Sequence, residues 1–285
     1  MRIIVAVIYV ILAPILGGLL AGIDRKITAR MQGRVGPPIL QPFYDVFKLF
    51  QKQVAIVNRA QNFFIGMFLI FMVFTGIIFF SGSDFLLVIF ALTLSSIFLV
   101  LGAYCTNSPY SSVGADRELV QMMSYEPMVL LACAGVYLVT KSFAVIDVIS
   151  ASKPLVTYLP ALFLGFIYIL TIKLRKSPFD LSTSHHGHQE IVKGITTEFA
   201  GPSLAIVEIA HWYENIILLG FIFMFVVWNS IIGIIVAVVA CLLIYFVEIL
   251  IDNSFARVKW NVMLKSSWLI AFVLAFINIL VVSLI

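Results

Sequence analysis

Runs of apolar residues close to twenty long recur along this chain, separated by polar intervals. A helix rises 1.5 Å per residue, so crossing a hydrocarbon core takes about 20 apolar residues. On that length the pattern predicts eight spans, at 3–23, 63–81, 85–105, 119–140, 155–172, 203–228, 231–251 and 267–285. Unpaired backbone groups are not tolerated in lipid, and these runs are far too long for barrel strands, so each reads as a helix. The expected fold is all-α and polytopic, a single transmembrane domain over residues 1–285. The first run has no small-residue cleavage pattern after it and reads as a retained helix.

Composition agrees with the pattern. The 285 residues are 62% hydrophobic and 11% charged, with a mean hydropathy of +1.11. That leaves too little polar surface to coat a water-soluble globule of this size. The connections differ sharply in charge. Loops 24–62, 106–118, 173–202 and 252–266 hold fifteen of the eighteen Lys and Arg; Arg2, Lys141 and Lys153 are the others. Lys and Arg stay cytoplasmic on insertion. Both termini are therefore expected outside, with the long loops 24–62 and 173–202 in the cytoplasm. The net charge of +4 reflects this asymmetry and is no nucleic-acid footprint. Cys105, Cys133 and Cys241 lie far apart in apolar runs, without the clustering that zinc or iron–sulfur sites need.

Ionisable residues inside spans are costly and are functional candidates by default. Glu126 precedes Pro127, which lacks an N–H and frees a carbonyl one turn back. A freed carbonyl beside a carboxyl can hold water or a cation. Glu208, His211 and Glu214 follow Gly201-Pro202 at spacings of three, which places them on adjacent turns with coupled protonation. Glu248 lies near the end of the seventh span; it suits either a proton path or a pairing with nearby cations. Loop 173–202 carries Asp180, then His185, His186, His188 and Glu190, then Glu198. Histidine titrates near neutral pH, and without a thiolate the cluster suits proton relay or docking better than zinc. In loop 24–62, Arg25, Arg30 and Arg34 suit anionic lipid heads or acidic groups on a partner. The stretch from Leu40 reads as an interfacial amphipathic helix.

Five stretches in order resemble one family. Asp24-Arg25-Lys26 to Gly36-Pro37 resembles the ERKxxxxxQxRxGP stretch of the membrane-anchoring, quinone-site subunit 1 of respiratory complex I. Leu40-Gln41-Pro42 through Asp45 and Lys48 resembles its LQPxADxxK. Met123-Ser124-Tyr125-Glu126 is similar to ISYE, Ser177-Pro178-Phe179-Asp180-Leu181 to APFDL, and Glu190 through Gly201 to ELVxG…EYSG. Where complex I members have PEAESE, this chain has Ser182 to Glu190 with three histidines. That form resembles the homologous subunit of energy-converting, group 4 [NiFe] hydrogenases of the Ech type and of formate hydrogenlyases. The family's glutamate in the sixth span falls near His211, and Asp24 replaces its usual Glu.

The resemblance implies a coupling subunit in the plasma membrane of a prokaryote, with no catalytic residues, metal or cofactor of its own. Its implied partners are the [NiFe] hydrogenase large and small subunits, iron–sulfur subunits carrying [4Fe-4S] clusters and an antiporter-like membrane subunit. Ferredoxin would donate electrons indirectly. The ion path carries over by resemblance through Glu126, Asp180, Glu190 and Glu198, and the reading of costly ionisable residues adds His185, His186, His188, Glu208, His211, Glu214 and Glu248 to it. Asp24, Arg25, Arg30, Arg34, Asp45 and Lys48 would dock partners. The alternatives are a quinone-reducing complex I-type anchor, for which a cavity beside the first helix would speak, and a formate hydrogenlyase subunit.

Overall fold

The computed structural model describes residues 2–53, 58–176, 178–182 and 191–284, with side chains from residue 4 onward. His185, His186, His188 and Glu190 lie outside the described residues. The described residues form helices and no strands; two isolated bridges occur, Asp84 with Ala144 and Phe179 with Val258.

Among the described residues, seven helices are long and apolar enough to cross a membrane. They are α1 (Arg2–Met31), α3 (Arg59–Phe80), α4 (Phe85–Tyr104), α5 (Pro109–Thr140), α8 (Pro202–Val226), α9 (Ile231–Ser254) and a final run, Trp260–Leu284. That run comprises α10 (Trp260–Ile270), a π-helical segment Ala271–Phe276 and α11 (Ile277–Leu284). Short helices fill in between: α2 (Gln41–Gln51), α6 (Val145–Ile149) and α7 (Pro160–Lys173).

The exception among the eight expected spans is 155–172. Pro160 begins α7, and a 3-10 turn at Leu155–Thr157 precedes it. The remaining 14 residues reach only about 21 Å at the helical rise, short of a hydrocarbon core about 30 Å thick. Asn278 of α11 supports its first turn, the side-chain oxygen accepting from the Leu162 amide at 3.1 Å. The C-terminal end of α7 is recessed. Lys173, its last residue, meets Glu214, which lies twelve residues, or about 18 Å, along α8.

Two features hold the loop after α7 in that recess. Arg175 adopts a left-handed backbone (φ +56°) and turns the chain sharply. Farther on, the Asp180 amide donates to the Val258 carbonyl at 3.1 Å, pinning the loop to the connection before α10. Residues 191–199 cover it from outside. There Gly194 meets Gly114 of α5 backbone to backbone, so closely that a Cβ on Gly114 would stand 2.4 Å from the Gly194 carbonyl carbon.

Helix α2 turns Pro42 and Val46 inward and packs Phe43 on Trp212 of α8, ring centres 5.1 Å apart. Tyr44, Phe47 and Phe50 stay exposed, as an interfacial helix requires. Away from the recessed loop the core is aromatic. Phe79 and Phe85 each stand edge-on to Phe221, centres 5.2 Å apart, and Phe225 lies between Phe163 and Phe166.

Candidate functional site

The recessed end of α7 brings three cations into the bundle. A helix C-terminus carries partial negative charge and favours cations there, but burial of a charge demands a partner. Each cation has one. Lys173 Nζ stands 2.9 Å from Glu214 Oε1 and donates to the Tyr125 hydroxyl at 2.9 Å and to Ser96 Oγ at 3.2 Å. Arg175 reaches Glu118 Oε1 at 3.0 Å and Glu214 Oε2 at 3.7 Å. Lys176 pairs with Asp24 at 2.5 Å and stands 3.9 Å from Asp252.

His211 closes the set. Its Nδ1 lies 3.1 Å from Glu214 Oε2 and its Nε2 lies 2.8 Å from Arg175. The same Arg175 nitrogen also stands 2.7 Å from Nδ1, so the guanidinium faces both ring nitrogens. Glu118 is completely buried, bonded to Arg175 and to the Ser182 hydroxyl. A second knot lies alongside: Arg257 reaches Asp180 at 2.9 Å and Arg117 stands 3.9 Å from the same oxygen, with its guanidinium over the Trp260 ring.

These groups flank a cavity of about 470 Å³ whose walls include Asp24, Arg25, Lys173, Arg175, Glu208 and His211. A smaller pocket of about 20 Å³ lies deeper, lined by Glu126, Tyr125, Lys173, Thr93 and apolar side chains.

The structure gathers some of the expected path residues and separates others. Glu208, His211 and Glu214 share the large cavity. Glu126, half-buried, stands off that cluster in the small pocket. Glu248 is fully buried on α9, and neither carboxyl oxygen meets a donor in ordinary geometry among the described residues. Glu198 is half-buried and contributes its backbone carbonyl, which accepts from Gln61 at 3.2 Å. The carbonyl freed by Pro127, that of Met123, accepts from Trp268 Nε1 at 2.9 Å.

Of the expected docking residues, Asp24 faces inward to Lys176 instead of outward. Asp45 and Arg25 pair with each other at 2.7 Å, and Gln41 also donates to Asp45. Burial works against the Asp45 charge, but these two donors outweigh it and hold the carboxyl below its ordinary range. Arg30, Arg34 and Lys48 are exposed.

The family model described as NADH dehydrogenase matches residues 3–283. This chain belongs to that family. Among its relatives, Hydrogenase-4 component C of Escherichia coli (strain K12) is 30% identical, the match covering 93% of this chain and 90% of that protein. An NADH-quinone oxidoreductase subunit of Geobacillus sp. (strain WCH70) is 28% identical, covering 98% and 92%. A chain of the membrane-bound sulfane sulfur reductase, an archaeal respiratory membrane complex, superposes with a TM-score of 0.86 at 22% identity, covering 99% of each chain. At that identity the superposition speaks for the fold. The family places this chain as a multi-pass membrane subunit of the complex I-like and group 4 hydrogenase type.

Within this family frame, the motif stretches read from the sequence border the recess from several sides: Asp24 at the end of α1, Tyr125 and Glu126 on α5, and Asp180 in the recessed loop. Sequence reasoning passed over Glu118 and the cations Arg117, Lys173, Arg175 and Lys176, counting the basic ones only as markers of orientation, and met Tyr125 only as part of a motif. One signal was present. Glu118, Gln121 and Tyr125 recur at helical spacing on α5, and all three are buried.

Proposed function

We propose that this chain anchors and couples an energy-converting [NiFe] hydrogenase, passing redox free energy from a cytoplasmic module into H⁺ or Na⁺ movement. The observation that carries this reading is the linked set Lys173, Glu214, His211, Arg175 and Glu118, recessed in the bundle beside a 470 Å³ cavity. Several buried groups in mutual contact have coupled protonation, so a change at one shifts charge at the next. A passive anchor has no use for charges that cost so much to bury. Likeness to Hydrogenase-4 component C and the histidine form of loop 173–202 support a hydrogenase partner.

The chain supplies no redox centre in this reading. Large and small hydrogenase subunits with [NiFe] and [4Fe-4S] groups take electrons from ferredoxin, and an antiporter-like subunit sits alongside in a prokaryotic plasma membrane. Both termini face outward, and the exposed Arg30, Arg34 and Lys48 meet the cytoplasmic module. The test is to purify the assembled complex and assay ferredoxin-driven H₂ evolution in sealed vesicles with H⁺ and Na⁺ indicators. Nickel that copurifies, with ion uptake lost in Glu126→Gln, is the expected result. A nickel-free complex, or full uptake in a correctly assembled Glu126→Gln variant, would defeat the hydrogenase reading or the role of Glu126 respectively.

A second reading, a quinone-reducing complex I-type anchor, is favoured by one observation. The large cavity lies against α1, at Ala21, Asp24 and Thr28, and its size falls within the range of about 300–1,000 Å³ usual for small-molecule sites. Its many charges suit a polar headgroup better than an isoprenoid tail. Turnover that requires added quinone and stops with a quinone analogue would favour this reading.

A further inference from the structure

Among the described residues, Lys173 is the side chain that lines both cavities. On one side is the 470 Å³ cavity with Glu208, His211 and Glu214. On the other is the 20 Å³ pocket, room for about one water, with the Glu126 carboxyl in its wall. Lys173 therefore stands between the two cavities. It is paired on the Glu214 side, yet it lines the same small pocket as Glu126.

The surroundings suit movement. A lysine is a point charge on a flexible four-carbon stem, whereas an arginine fork is fixed by its bidentate geometry. The charged and titratable groups around Lys173 are Glu214 from α8, Tyr125, Glu118 and Glu126 from α5, and Arg175 from the recessed loop; the Ser96 hydroxyl joins them from α4. Glu214 would not be stranded if Lys173 left, because Arg175 stands 3.7 Å away and His211 3.1 Å away. Glu126, by contrast, has no second cation in the lining of its pocket.

We infer that Lys173 is a switch cation, swinging its ammonium between Glu214 and Glu126 and so alternating which carboxyl carries a proton. With Lys173 on Glu214, Glu126 lacks a counter-charge in a low-dielectric pocket and holds a proton. With Lys173 on Glu126, that proton leaves and Glu214, having lost one of its cations, becomes able to accept another from the large cavity. Lysine itself stays protonated throughout, so one proton is released for each one taken up. This device rests on the ion-translocation reading, and its test does not depend on pumping.

Dicyclohexylcarbodiimide, an apolar reagent, forms an adduct with protonated carboxyls and can be located by mass spectrometry in the whole assembled complex. Lys173→Met keeps length and bulk but removes the charge; adduct on Glu126 should rise severalfold over wild type. Glu214→Gln weakens the hold on the other side and frees Lys173 for Glu126; adduct there should fall severalfold. Ser96→Ala, which alters no charge, should shift labelling the same way as Glu214→Gln by a smaller factor, and it covers the case in which the charge variants fail to assemble. A wall with a merely structural role gives no such opposed responses. Labelling unchanged in Lys173→Met, or raised in Glu214→Gln or Ser96→Ala, would overturn the switch even in a complex that pumps. Opposed labelling in a complex that turns over without ion uptake would retain the switch and sink the translocation reading instead.

Discussion

The two halves of the helix bundle obey different rules. Toward the recessed loop, buried side chains are held by charge: Glu118, Lys173, Arg175 and Glu214 sit within 3.0 Å of an opposite charge. Toward the other end, buried side chains are held by shape, with Phe79, Phe85, Phe221 and Phe225 interlocked. Lipid is as apolar as the aromatic half, so that half gains mainly from close packing. The charged half gains nothing from lipid and persists because Glu118, Lys173, Arg175 and Glu214 find counterparts in one another. The contrast locates function: among the described residues the ion pairs stop at Lys173, with Glu126 in the small pocket beyond it and the aromatic half farther on.

The sharpest way to break this contrast is to compare conservative changes in each half. Phe225→Ala should cost about 3–5 kcal/mol, and the smaller truncation Phe225→Leu clearly less. Glu118→Ala should cost about 3–5 kcal/mol by leaving Arg175 short of its partner, and even the nearly isosteric Glu118→Gln about 1.5–3 kcal/mol. Thermal unfolding of the purified complex reads all four. If Glu118→Gln costs no more than Phe225→Leu, the two halves do not differ as described.

A smaller effect is expected where the halves adjoin. Trp268→Phe keeps most of the packing but withdraws the donor from the Met123 carbonyl. Hydrogen bonds between membrane helices are worth about 0.6–1.7 kcal/mol, so the melting point should fall modestly, with a larger kink angle at Pro127 by spin-label distances. Unchanged distances would mean that the proline sets the geometry without help from the indole.

The smallest effect belongs to α2, outside both halves. The Asp45 carboxyl lies below its ordinary range because Arg25 and Gln41 hold its charged form against the pull of burial. A depressed carboxyl stabilises the fold above its unfolded pKa, and this contribution disappears as pH falls through the folded value. An exposed pair of this kind is worth about 0.2–1 kcal/mol. Asp45→Asn should remove that increment at neutral pH and flatten the acid limb of the stability curve. Equal acid sensitivity in both proteins would show the pair to be without thermodynamic weight.

Most of the fold was legible because lipid writes its demand directly into composition. The aromatic half needs only apolar residues in runs of the right length, and the sequence shows these plainly. The charged half was legible only in fragments. His211 and Glu214 stood out because they interrupt an apolar run, whereas Lys173, Arg175 and Lys176 follow one and so resemble an ordinary cytoplasmic flank. Nothing local says that a span will stop short; that depends on Pro160 starting the helix late and on Arg175 turning the chain back inside. The pairing of Asp24 was not legible either, since its partner Lys176 lies 152 positions away.

The recessed end of α7 also sets an order for biogenesis. Lys173, Arg175 and Lys176 leave the ribosome about forty residues before Glu214, and Asp252 emerges later still. Until α8 arrives, these cations have only the carboxyls of α1 and α5 to meet, so the segment has reason to wait at the aqueous edge. The loop can sink to its final depth only when α8 and α9 have been laid beside α5. A nascent chain halted between α7 and α8 should therefore keep residues 173–176 within reach of water-borne reagents, and completion of the following two helices should close that window.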